Sequence, residues 1–186
     1  MKSMSKKHGY ILAVVLVVIS SILILLTAPD EPKLSSVSQT SNVCSLNANK
    51  LLGYINEERS LKGATELVVD SKLAVASKQK LDLMVGNHYF GHDLIGGGKW
   101  SELIRAQGFT GNISEDIGSS DKTPTLSWNE FKNSPNHYES LTNPVYTRIG
   151  IAVECTDYFV ENTVDIGDEN IIGDHITDLT VISLSD

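Results

Sequence analysis

A chain of 186 residues, 41% hydrophobic and 20% charged, has room for one domain with a substantial core and hardly for two. Its net charge of −8 is unevenly laid out: residues 1–34 carry +2, residues 35–164 carry −4, and the last 22 residues carry −6 with no Lys or Arg. That distribution excludes a nucleic-acid binder working through a basic face.

Lys2, Lys6 and Lys7 precede an uncharged apolar run from Gly9 to Ala28, long enough to cross a hydrocarbon layer of about 30 Å as a helix. Pro29 follows the only small residue suited to a signal-peptidase site, so residues 1–28 read as an uncleaved signal anchor, with a cleaved signal peptide as the alternative. Lysines before the span and acids after it put the amino terminus inside and the domain outside. The membrane, reached through this N-terminal helix, is therefore an expected partner. The expected location is the cell membrane, single-pass, or the exterior if cleavage occurs. Residues 29–43, serine-rich with prolines at 29 and 32, read as a flexible stalk. Cys44 and Cys155 are the only cysteines. Export favours a disulfide between them over two buried thiols, and without a Cys-x-x-Cys pair neither a zinc ribbon nor a thioredoxin-type site is possible.

Helical periodicity begins after Ser45 or Asn47 as cap, turns Leu51, Leu52 and Ile55 through one apolar face, and stops at Gly63. A second helix follows Asp70 as cap, with Leu73, Ala76, Lys80 or Leu81, and Met84 on its stripe; Gly86 stands where a left-handed cap is wanted. Gly96-Gly97-Gly98 lacks the Gly-Lys-Ser/Thr of a phosphate loop and reads as a turn before a short helix, Trp100 to Gln107. Pro124 opens a fourth helix carrying Trp128 and Phe131. Ser134-Pro135 then starts a new one, with His137 in its first turn. Two β-rich runs, Arg148 to Cys155 and Tyr158 to Val164, suggest antiparallel neighbours joined by a turn at Thr156-Asp157. Residues 165–186 carry Asp165, Asp168, Glu169, Asp174, Asp178 and Asp186 and read as an acidic C-terminal tail, although alternation from Leu179 to Leu184 allows an edge strand. The acids do not follow a calcium-loop pattern. His8 and His175 read as solvated.

Three segments carry the chemistry: Tyr89-Phe90-Gly91-His92, Ser114-Glu115-Asp116-Ile117-Gly118 and Asn133-Ser134-Pro135-Asn136-His137. Each sets an imidazole or a carboxylate in a loop or at a helix end, and neutral imidazole with carboxylate suits a borderline metal or an acid/base cluster. Singly, His92 could bond its own loop, His137 could cap its turn and Glu115 could pair with Arg148 or a lysine. Together, and with Leu51-Leu52-Gly53-Tyr54-Ile55-Asn56-Glu57-Glu58-Arg59 before them and Arg148-Ile149-Gly150-Ile151-Ala152-Val153 after, they resemble in order the bacterial branch of the CAP superfamily, the cysteine-rich secretory, antigen 5 and pathogenesis-related proteins, also called SCP-like.

The resemblance implies an α+β fold over residues 44–164, a three-layer α-β-α sandwich with a central antiparallel sheet. It also implies one open cleft in which His92 and His137 share a divalent metal, zinc or another cation, with Glu115 behind them as tautomer-fixing acceptor. Eukaryotic members add a second glutamate, which counting from Phe131 falls on Ser134; Glu130 lies one residue before Phe131 on another helix face and takes no role. The first expected function is a ligand-binding module, its ligand an unknown extracellular lipid, wall glycan or peptide, or protein. The alternative is a metal-assisted hydrolase, peptidase or esterase-like, with His92, Glu115 and His137 as catalytic candidates. The chain has no serine elbow, His-Glu-x-x-His helix or cysteine nucleophile, which favours binding over an enzyme.

Overall fold

The computed structural model describes residues 44–119, 122–163 and 173–186. The segments expected as a signal anchor, 1–28, and a stalk, 29–43, and the first part of the expected acidic tail lie outside the described residues. Among the described residues no helix is long and apolar enough to cross a membrane.

Helix α1, Ala48–Leu61, starts where Asn47 Oδ1 accepts the Lys50 N–H at 3.0 Å, buries Leu51, Ile55 and Arg59, and is left through Gly63 at φ 72. Asn56 then clasps Leu67 with two bonds, Nδ2 to the carbonyl at 3.1 Å and N–H to Oδ1 at 2.8 Å. This aims the chain into strand β1, Val68–Val69. Helix α2, Ser71–Gly86, is capped by Asp70, which accepts the N–H groups of Lys72 and Leu73. It buries both Lys80 and Leu81, the two candidates for one place on the stripe. The left-handed turn after it falls on His88, φ 50, and not on Gly86, which is still helical. Next come β2 (Tyr89–Phe90), α3 (Ser101–Ala106, slightly shorter than expected), β3 (Ile113–Ser119), α4 (Pro124–Asn133) and α5 (Pro135–Thr142). Thr123 caps α4 through its hydroxyl, whereas Ser134 stands at the start of α5 without a side-chain capping bond.

Three strands complete the order: β4 (Arg148–Phe159), β5 (Asn162–Thr163) and β6 (His175–Ser185). The main sheet runs β1-β4-β6-β3. Its three long strands are antiparallel, and β1 adds a parallel edge of two residues. One face takes α2: Leu81 and Met84 meet Ile117, Ala152, Leu179 and Val181. The other takes α1, α4 and α5, whose Leu51, Ile55, Trp128, Phe131 and Leu141 meet Ile149, Ile182 and Leu184. The fold is therefore an α+β sandwich with helices on both faces of a mixed four-stranded sheet.

Two expectations are corrected. The run Arg148 to Cys155 continues through Tyr158–Phe159 as one strand, β4, the rest of the second run supplies only β5, and the turn residues Thr156-Asp157 form an irregularity in the register of β4 between Cys155 and Tyr158. The tail expected at 165–186 is, from His175 onward, strand β6, which lies between β4 and β3 and is almost wholly buried. Ser183 Oγ accepts from Ser77 Oγ at 2.9 Å inside the fold, so this polar side chain does not force the strand into solvent.

Cys44 and Cys155 form the disulfide, with Cα atoms 5.8 Å apart and a separation of 111 positions in sequence. It ties the chain ahead of α1 to the irregular part of β4. Reduction, or Cys44→Ser with Cys155→Ser, is expected to lower stability by roughly 2–4 kcal/mol. Urea unfolding with and without reductant measures this; coincident curves would show that the crosslink constrains nothing.

Candidate functional site

The loop carrying His92 is fixed at both ends. At its start β2 pairs in parallel with β5, the His88 carbonyl accepts the Glu161 N–H at 2.8 Å, and Tyr158 Oη donates to the Tyr89 carbonyl at 3.1 Å. At its end the Asp93 carboxylate accepts the Trp100 N–H and the Lys99 ammonium, while the Leu94 N–H closes on the Gly98 carbonyl at 2.7 Å. Between these anchors His92 has a side chain 30% exposed, and its Nδ1 lies 3.1 Å from Glu115 Oε1.

Glu115, expected in a loop or at a helix end, lies instead within strand β3, with a side chain 2% exposed. Strand alternation sends it and its neighbour Asp116 to opposite faces. Glu115 points to the α2 side, where Lys80 Nζ is 4.0 Å away. Asp116 points to the α5 side, accepts from Ser140 Oγ at 2.9 Å, and has its pKa pushed up to about 7, chiefly by burial. Ser140 also meets Ser114 Oγ at 2.9 Å.

His137 sits in the first turn of α5, edge-on to Phe131 with ring centroids 5.2 Å apart. Burial is the first cause lowering its pKa, and the charge of His92 is the second. Both causes favour the neutral imidazole at His137. Among the described residues its Nδ1 is buried with no hydrogen-bond partner, an uncommon condition for a buried ring nitrogen. The structure thus brings His92 and Glu115 into contact, and of the two it is His92 that bears electrostatically on His137.

With Nδ1–H donated to the Glu115 carboxylate, His92 keeps an unshared pair at Nε2 for a ligand. Among the described residues no three His, Cys, Asp or Glu side chains converge to hold a metal ion. His92 and His137 are two imidazoles, fewer than the three protein ligands usual for catalytic zinc. Sequence reasoning missed one residue here: Lys80 was hidden because helical periodicity allowed it or Leu81 on the stripe.

A profile described as the cysteine-rich secretory protein family, CAP, matches residues 52–164. A curated relative, the uncharacterized protein YkwD of Bacillus subtilis, is 25% identical over 120 residues, covering 64% of this chain and 47% of the relative. The match thus spans about half the length of that protein. Among solved structures, an outer surface protein of Borrelia burgdorferi superposes with a TM-score of 0.58 at 22% identity, covering 74% of this chain and 90% of its own. An extracellular protein of Bacillus anthracis containing an SCP domain gives 0.56 at 18% identity, covering 78% of this chain and 41% of its own. These two show the same fold. With the profile match running from α1 to the end of β5, the chain belongs to the cysteine-rich secretory protein, or CAP, family.

Proposed function

We propose that this chain is an extracytoplasmic binding module whose ligand is taken at the cleft between His92 and His137, with a membrane anchor in residues 1–28 or release if that segment is cut. The observation that carries the reading is the buried, unpartnered Nδ1 of His137 beside a His92 whose other nitrogen is committed to a buried carboxylate. Such a pair is arranged to receive something. The similar Bacillus anthracis protein is described as extracellular, which agrees with the apolar run of the sequence.

The donor set fits a weakly held divalent ion, zinc or a similar cation, with His92 and His137 as its protein ligands and oxygens of solvent or ligand completing the set. When bound, the ion would supply a positive charge for an oxygen of a lipid, wall glycan, peptide or protein ligand. Glu115 would orient His92 and raise the basicity of its free nitrogen. That carboxylate faces an imidazole rather than solvent, so binding is favoured over metal-assisted hydrolysis.

Titration of the purified chain with zinc, followed by calorimetry, is expected to show one weak site. His92→Ala or His137→Ala should abolish it, and Glu115→Gln should weaken it about 10–100-fold. Isotherms indifferent to both histidine changes would remove the cleft from the reading. Peptide or ester turnover lost on Glu115→Gln would replace it with the hydrolase.

A further inference from the structure

Lys80 is 0% exposed, on the inward stripe of α2 between Ser77 and Met84. An ammonium is kept out of water only where it is hydrogen-bonded and faces opposite charge, and a leucine or methionine would fill this stripe without that requirement. What Lys80 touches shows what its charge serves. Its Nζ donates to the His92 carbonyl, to the Asp93 carbonyl at 3.2 Å and to Tyr89 Oη at 3.4 Å. It stands 4.0 Å from Glu115 Oε1, the oxygen that also meets His92 Nδ1. The three bonds go to the segment 89–93 that presents His92, and the fourth neighbour is the carboxylate that holds the His92 ring.

We infer that Lys80 is a positioning residue of the cleft: from beneath, it fixes the backbone of His92 and the carboxylate of Glu115 relative to each other, so that the ring commits Nδ1 to Glu115 and leaves Nε2 for a ligand. The inference rests on the proposed cleft for its functional meaning. The arrangement itself is tested on the His92 ring with no ligand or metal added, so its failure and that of the binding reading are separable.

The test is the ring signature of His92 in the full chain labelled with [15N]histidine and held in detergent micelles at mildly alkaline pH. The native protein is expected to show a proton-bearing Nδ1 and a bare Nε2 at His92. In Lys80→Met that signature should be lost, with His88 and His175 and the far-ultraviolet circular dichroism unchanged. No cysteine is free in the native chain, so Lys80→Cys can be aminoethylated selectively in denaturant with the disulfide intact. After refolding, this lysine analogue should restore the native signature, and propylation, which fills similar space without charge, should not. A folded neutral variant with the native His92 signature overturns the inference. Neutral variants that cannot fold, beside an aminoethylated chain that can, also overturn it, since Lys80 would then serve the core and not the cleft.

Discussion

Replacing Arg59 by alanine is expected to cost the domain about 3–5 kcal/mol, a large share of the roughly 5–15 kcal/mol that holds a domain together. The guanidinium is 0% exposed and, among the described residues, has carbonyl oxygens as its partners: Nε donates to Thr65 at 2.8 Å, Nη1 to Leu141 at 2.8 Å and Asn143 at 3.0 Å, and Nη2 to Tyr146 at 2.8 Å. Those oxygens belong to three segments that have run out of regular bonding: the loop after α1, the end of α5 and the turn into β4. A helix end leaves its last carbonyls without intrahelical donors, and here a side chain 82 residues away in sequence supplies one. Truncation strands four acceptors at about 1–3 kcal/mol each where water cannot reach them, and opens a cavity besides.

Arg59→Lys is expected to recover only part of the loss, because an ammonium has three donors on one atom and cannot span the fork. Urea unfolding monitored by circular dichroism checks both variants. An Arg59→Ala midpoint equivalent to less than about 1 kcal/mol would mean that solvent already serves these carbonyls.

The capping signals legible in the sequence are those that act over a few residues. Asn47, Asp70 and Thr123-Pro124 start helices through bonds to atoms two or three positions away, so the chain states them locally. Strand β6 was obscured because the charge of residues 165–186 favours a tail and the alternation from Leu179 to Leu184 points only to an edge strand, whereas β6 lies inside the sheet and the partner of Ser183 is Ser77, 106 residues away. The same holds for Thr156-Asp157, whose turn-forming composition serves an irregularity once β6 is present to pair with both sides of it. At the candidate site, motif order pointed to His92, Glu115 and His137, but nothing in the sequence placed Glu115 on a strand or put Lys80 beneath it. Those facts depend on which face of β3 meets α2, and face assignment follows from register with β6, a long-range property.

Gly150→Ala is expected to be at least as damaging as the loss of Arg59, on the order of 4 kcal/mol or more. A Cβ at this position of β4 would stand 2.1 Å from the Leu73 carbonyl carbon, 2.2 Å from the Ala74 nitrogen and 2.4 Å from the Leu73 oxygen. All three are backbone atoms of α2, which no rotamer change can move aside, so the helix itself must lift by more than about 1 Å to restore ordinary contact. Lifting breaks the bond from Ser77 Oγ to the Gly150 carbonyl at 3.0 Å. It also opens gaps around Leu73, Leu81 and Met84, each 0% exposed, and draws Lys80 away from the His92 loop. Gly53→Ala is the control: it lies within α1 with nothing within 4 Å of a new Cβ, and it should gain about 0.5–1 kcal/mol from the better helix former. Thermal melts should place the two variants on opposite sides of the native protein, Gly150→Ala lower by roughly 10–20 °C. A Gly150→Ala protein melting within a few degrees of native would show that α2 does not rest on β4 at this point, and Lys80 would lose the seat that puts it under the cleft.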